Sequence, residues 1–104
     1  MFALASPLAG AAQHVVQIGP GFNYSPAQLE IEAGDTVLFS ASGSHPLRSD
    51  GQLFSCDQNC EVPFPQPGDF GFYCDNHGAA GGLGMSGVVT VVPSPRIHAD
   101  GFEG

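Results

Sequence analysis

Lysine and tryptophan are missing from this chain, and its only basic side chains besides histidine are Arg48 and Arg96. Against these two stand ten Asp and Glu, for a formal net charge of −8. A nucleic-acid binder needs a basic face for the phosphates, so the balance argues against that class. The same charge favours basic partners and speeds encounters with them at low salt, and it serves equally well as a solubility device. No hydrophobic run is long enough to span a membrane. Helical periodicity is also scarce. Cysteine occurs only three times, an odd count that leaves at least one thiol outside any intrachain pairing.

Glycine and proline are plentiful instead, fifteen and nine in 104 residues, which signals many turns between short strands. The length suits one domain with one core. His14 to Ile18 reads as a strand closed by Gly19-Pro20-Gly21, and Phe22 and Tyr24 alternate around Asn23. Leu29 to Glu32 alternates cleanly before the turn Ala33-Gly34-Asp35, and Thr36 to Ser40 is strongly β-favouring. Phe64 to Gly68 is a proline-rich turn. Asp69 to Cys74 then alternates, with Phe70, Phe72 and Cys74 on one face and Gly71 and Tyr73 on the other. Val88 to Val92 is the last strand, ended by Pro93-Ser94-Pro95. The interval from Ala41 to Pro63 has room for one or two short edge strands, or a short helix around Asp57. The pattern predicts an all-β, Greek-key sandwich of about seven to eight strands. Three segments are expected: an apolar leader over 1–12 with the character of a signal-peptide remnant, a folded domain over 13–92, and a polar tail over 93–104.

The chemistry concentrates near the end of that domain. Tyr73-Cys74-Asp75-Asn76-His77 leads through a glycine-rich loop, Gly78 to Gly84, to Met85-Ser86-Gly87. A second imidazole, His45, stands upstream in Ser44-His45-Pro46-Leu47. Two imidazoles and a thiolate, with a weak thioether on the axis, form the ligand set of a blue-copper site. Singly, each residue has a plainer reading. A Met near a strand end is usually core, a lone Cys a small hydrophobe, and a lone loop His a surface residue. Jointly those readings need several coincidences. His14 and His98 stand apart and are expected to play no part.

Two blocks carry a family resemblance: Gly21 to Phe39 leading to His45, and Phe64 to Val92 with Cys74, His77 and Met85. Together they resemble the cupredoxins, the small type 1 blue-copper proteins, most closely their plastocyanin-like branch. The resemblance implies a Greek-key sandwich and one copper held by His45, Cys74, His77 and Met85. It further implies a soluble, periplasmic or secreted electron carrier rather than an enzyme. The copper would cycle between Cu(I) and Cu(II). Redox partners, basic by charge complementarity, would dock briefly on a monomer near His77, amid Gly78, Ala79, Ala80 and Leu83.

Two departures from the family pattern stand out. The stretch between His77 and Met85 is long, which leaves open an axial position that is vacant or approached by a carbonyl near Ser44. Pro46 follows His45, where resembling proteins typically offer a backbone N–H to the cysteine sulfur, and proline has none.

Cys56-x3-Cys60 resembles the spacing of binuclear copper centres, but Glu61-Val62-Pro63-Phe64 supplies no histidine, so a local disulfide is preferred. Such a bond implies an oxidising compartment. Two other functions are carried as alternatives, a copper storage, delivery or sensing module and a truncated domain of a larger copper oxidase. An oxidase needs a further site with open coordination positions, which His14 and His98 do not make.

Overall fold

The structure is a computed structural model that describes residues 12–94. The leader, apart from Ala12, and all of the tail beyond Ser94 lie outside the described residues, as does His98. Nine strands run in the order β1 Gln13–Ile18, β2 Tyr24–Ser25, β3 Gln28–Glu32, β4 Thr36–Phe39, β5 Leu47–Ser49, β6 Ser55–Cys56, β7 Cys60–Pro63, β8 Gly68–Ala79 and β9 Leu83–Val92. Two of the nine are only two residues long. Among the described residues there is no helix, so the interval from Ala41 to Pro63 holds three short strands and nothing helical around Asp57.

The strands form two sheets, one ordered β2-β1-β4-β7 and the other β3-β9-β8-β5-β6. Pairs β1·β4 and β3·β9 are parallel; the remaining pairs are antiparallel. Period-two alternation decides which side chains face inward. On β4, Val37 and Phe39 are fully buried while Thr36 and Leu38 are only partly so. On β9, Met85, Val89 and Val91 are buried, and on β8 Phe72 and Cys74 are. Aromatic contacts bridge the layers, with Phe39 edge-on to Phe72 at 5.0 Å and Tyr24 edge-on to Phe72 at 5.0 Å.

The open side of the sandwich carries Cys56 and Cys60. Cys56 lies on β6, an edge of the five-stranded sheet, and Cys60 on β7, an edge of the other. Their Cα atoms are 5.8 Å apart and their sulfurs lie within disulfide distance. The short Cys-x3-Cys loop is therefore the crossing from one sheet to the other.

Candidate metal centre

His45 is delivered by a tight turn between β4 and β5. Ser42 and His45 exchange backbone hydrogen bonds, the His45 N–H reaching the Ser42 carbonyl at 3.0 Å and the Ser42 N–H reaching the His45 carbonyl at 3.2 Å. Pro46 follows with its restricted φ, and Leu47 opens β5 fully buried. Leu47 is in register with Cys74, and the Asp75 N–H bonds to the Pro46 carbonyl at 2.8 Å. The upstream imidazole thus sits in the turn just before the strand that lies beside the cysteine.

Cys74 ends the alternating run of β8 on the core face and has no exposed surface. Its Sγ lies 3.6 Å from His45 Nδ1 and 3.6 Å from His77 Nδ1. One donor atom from each of the three residues falls within 4.8 Å of the others. Burial grades across them: Cys74 is buried, His45 half-buried and His77 exposed. The imidazole centroids are 4.9 Å apart.

The fourth residue of the expected set is placed by strand register. Tyr73 pairs with Ser86 and Gly78 pairs with Gly84, with an irregularity between them. Four residues, Cys74 to His77, therefore bulge against one, Met85. A bulge of this kind bends its strand and re-aims side chains. Met85 is 2% exposed and shares the inner face with Val89 and Val91. The long stretch between His77 and Met85 is a paired hairpin rather than the free loop its glycines suggested, β8 continuing to Ala79 and β9 starting at Leu83. The facing glycines make the pairing possible. A Cβ on Gly78 would lie 2.5 Å from the Met85 carbonyl oxygen, and one on Gly84 would meet the His77 carbonyl. At the hairpin tip the Gly81 N–H bonds to the Asp50 carboxylate at 3.2 Å.

Two features of the site were not foreseen from sequence. Phe22 lies flat on His77, centroids 4.2 Å apart and planes 11° from parallel, and stands 5.7 Å from His45. It comes from the turn between β1 and β2, where the Gly19 N–H bonds to the Asn23 carbonyl at 2.7 Å and the Asn23 amide to the Pro20 carbonyl at 3.2 Å. That turn holds Phe22 out, 61% exposed. The sequence shows the Gly19-Pro20-Gly21 turn just before Phe22, but no local pattern that points to His77. The second feature is Asn76, whose side-chain amide donates to the Ser44 carbonyl at 2.9 Å.

Asp75 faces Arg48, Nε to Oδ2 3.8 Å, and Arg48 also holds Asp57 at 3.1 Å. His14 lies outside this cluster: its Nε2 is 3.0 Å from Asp35 Oδ2, where β1 and β4 begin. Burial by itself would raise the Asp35 carboxyl pKa. The N–H of Ala12, the His14 ring and the N–H of Glu32 outweigh it and hold the group below the ordinary carboxylate range. The Tyr24 phenol is pushed well above its ordinary pKa, first by burial and then by the nearby Cys74. Its hydroxyl is buried without a hydrogen-bond partner among the described residues.

A thiol and two ring nitrogens converging at the core boundary match what copper asks of a protein that carries both its oxidation states. Solved structures share this fold. A pseudoazurin from Methylobacterium extorquens AM1 aligns with a TM-score of 0.57 at 23% identity, over 84% of this chain and 81% of that one. An oxidised plastocyanin from Dryopteris crassirhizoma aligns at 0.59 and 20% identity, over 75% of this chain and 99% of that one. A reduced Cu(I) form of an amicyanin variant aligns at 0.60 and 22% identity, over 77% and 82%. The fold is that of the cupredoxins. No family model matches the chain. Among the described residues, no helix is long and apolar enough to cross a membrane.

Proposed function

We propose that this protein is a one-electron carrier built on a single type 1 copper. The observation that carries the proposal is the convergence of His45 Nδ1, His77 Nδ1 and a fully buried Cys74 Sγ, each nitrogen 3.6 Å from the sulfur. In this reading the three supply the trigonal plane and Met85 the weak axial sulfur. Support for Met85 comes from the ladder, where it alone faces the ligand-bearing bulge. Of the backbone carbonyls near Ser44, the rival axial donors, that of Ser44 itself accepts from Asn76.

The ion would supply a couple between Cu(II) and Cu(I). The chain's part is to keep the donors still. Cys74 is anchored in β8, and His45 lies between its turn and Pro46. Phe22 braces the His77 ring from outside. The partner-facing surface is the exposed edge of His77 with Phe22 and Leu83, both 61% exposed, and the neighbouring Ala79 and Ala80. None of these side chains is charged, which suits a short-lived contact. Acidic residues elsewhere on the chain would steer basic redox partners towards it. In this reading the chain works outside the cytoplasm as a monomeric carrier rather than a catalyst. Cys56–Cys60 is read as a disulfide stapling the two sheet edges, consistent with an oxidising compartment.

Voltammetry of the copper-loaded protein tests the proposal. It predicts a reversible wave of one electron per chain. Copper that binds without a reversible wave overturns it.

A further inference from the structure

Hydrogen bonds join the two segments that bring the histidines, and one of them is donated by a side chain. Asn76 stands between Cys74 and His77, and its amide donates to the Ser44 carbonyl, the peptide oxygen just before His45, at 2.9 Å. Beside it the Asp75 N–H bonds to the Pro46 carbonyl at 2.8 Å. These two bonds bracket His45, one on each side along the chain. Pro46 contributes no N–H, so nothing at that position can tie His45 to the cysteine segment by donating. The tie runs the other way, from the cysteine segment to the His45 turn.

We infer that Asn76 is a positioning residue that clamps the His45 turn to the Cys74–His77 segment, an assignment that rests on the copper reading for its functional consequence. The chemistry is specific to an amide. Aspartate at 76 would have the same shape but, when ionised, would present only acceptors to the Ser44 carbonyl. Alanine would remove the contact, leaving that carbonyl to water. Both ends are exposed, so the fold does not depend on the bond. What depends on it is how often the turn opens, and with it how long His45 Nδ1 stays 3.6 Å from Sγ.

The test has one arm without metal and one with it. In the metal-free protein, the His45 N–H, bonded to Ser42 within the turn, should exchange with solvent about tenfold faster in Asn76→Ala and Asn76→Asp than in the wild type. Asn76→Gln, which keeps a donor amide, should recover part of the protection. Unchanged exchange in both Asn76→Ala and Asn76→Asp overturns the clamp, whatever copper does. In the loaded protein, the same two variants should lose copper to a chelator about tenfold faster and show altered copper hyperfine splitting. Wild-type release and wild-type splitting in both variants also overturn it. A wild type that takes up Cu(II) without becoming blue overturns the copper reading instead, and the metal-free arm still decides the clamp.

Discussion

Gly78 and Gly84 face each other across the β8–β9 ladder, directly after His77 and directly before Met85. No side chain fits between them. Because each lacks a Cβ, the two strands close tightly, and the residues on either side are drawn together.

Gly78→Ala is therefore predicted to damage the site from outside it. Its Cβ would lie 2.5 Å from the Met85 carbonyl oxygen and 2.8 Å from that of Leu83, so backbone must move. The expected cost is about 1–3 kcal/mol in urea unfolding, with a shifted blue absorption. Gly43→Ala is the control, since nothing lies within 4 Å of its Cβ position. It should stay within about 0.5 kcal/mol of wild type.

Tyr24→Phe should stabilise the protein or leave it unchanged. The hydroxyl is buried with no partner among the described residues, so folding strips its water and returns nothing. Removing it is expected to raise unfolding free energy by about 1 kcal/mol, read by urea titration at neutral pH. A clear loss would mean that the hydroxyl has a partner, such as a bound water.

Asp35 gives a pH dependence of known sign. Its folded pKa is lowered, so the unfolded chain binds the proton first as pH falls. Its stabilisation is complete above the unfolded carboxylate value of about 4. It is lost progressively below that value, through the lower folded pKa. Asp35→Asn should cost about 1–3 kcal/mol above pH 5, because two backbone N–H groups and His14 lose a charged acceptor. The variant should also flatten the acid limb of the stability curve. An unflattened acid limb would move the effect to another carboxylate.

Pro46→Ala should raise the reduction potential. Among the described residues, the polar contacts of Cys74 Sγ are the two imidazole nitrogens, with no backbone N–H. A restored N–H at position 46 would draw charge from the thiolate and favour the reduced ion. Voltammetry showing an unchanged or lower potential would count against this.

Much of this was legible in the chain itself, for physical reasons. Leu29–Glu32 and the run ending at Cys74 alternate cleanly because each turns one face to the core, and donor chemistry singled out His45, Cys74 and His77, which the fold brings together. The segment from Leu47 to Pro63 was not legible. Its strands are two to four residues long and exist because neighbours pair with them, Leu47 with both Cys56 and Cys74, and Phe39 with Cys60. The hairpin after His77 read as a free loop because glycine scores as a breaker, whereas here it permits close pairing. Phe22 was missed because its contact with His77 joins turns far apart in sequence, and no local pattern encodes that.

The central claim is that Cys74 binds copper together with His45 and His77. Adding Cu(II) to the reduced, metal-free protein and recording its visible spectrum tests this most directly. The account predicts an intense blue thiolate-to-copper band, abolished in Cys74→Ala and retained in the Cys56→Ser/Cys60→Ser variant. A colourless product with Cys74 intact and reduced would contradict it.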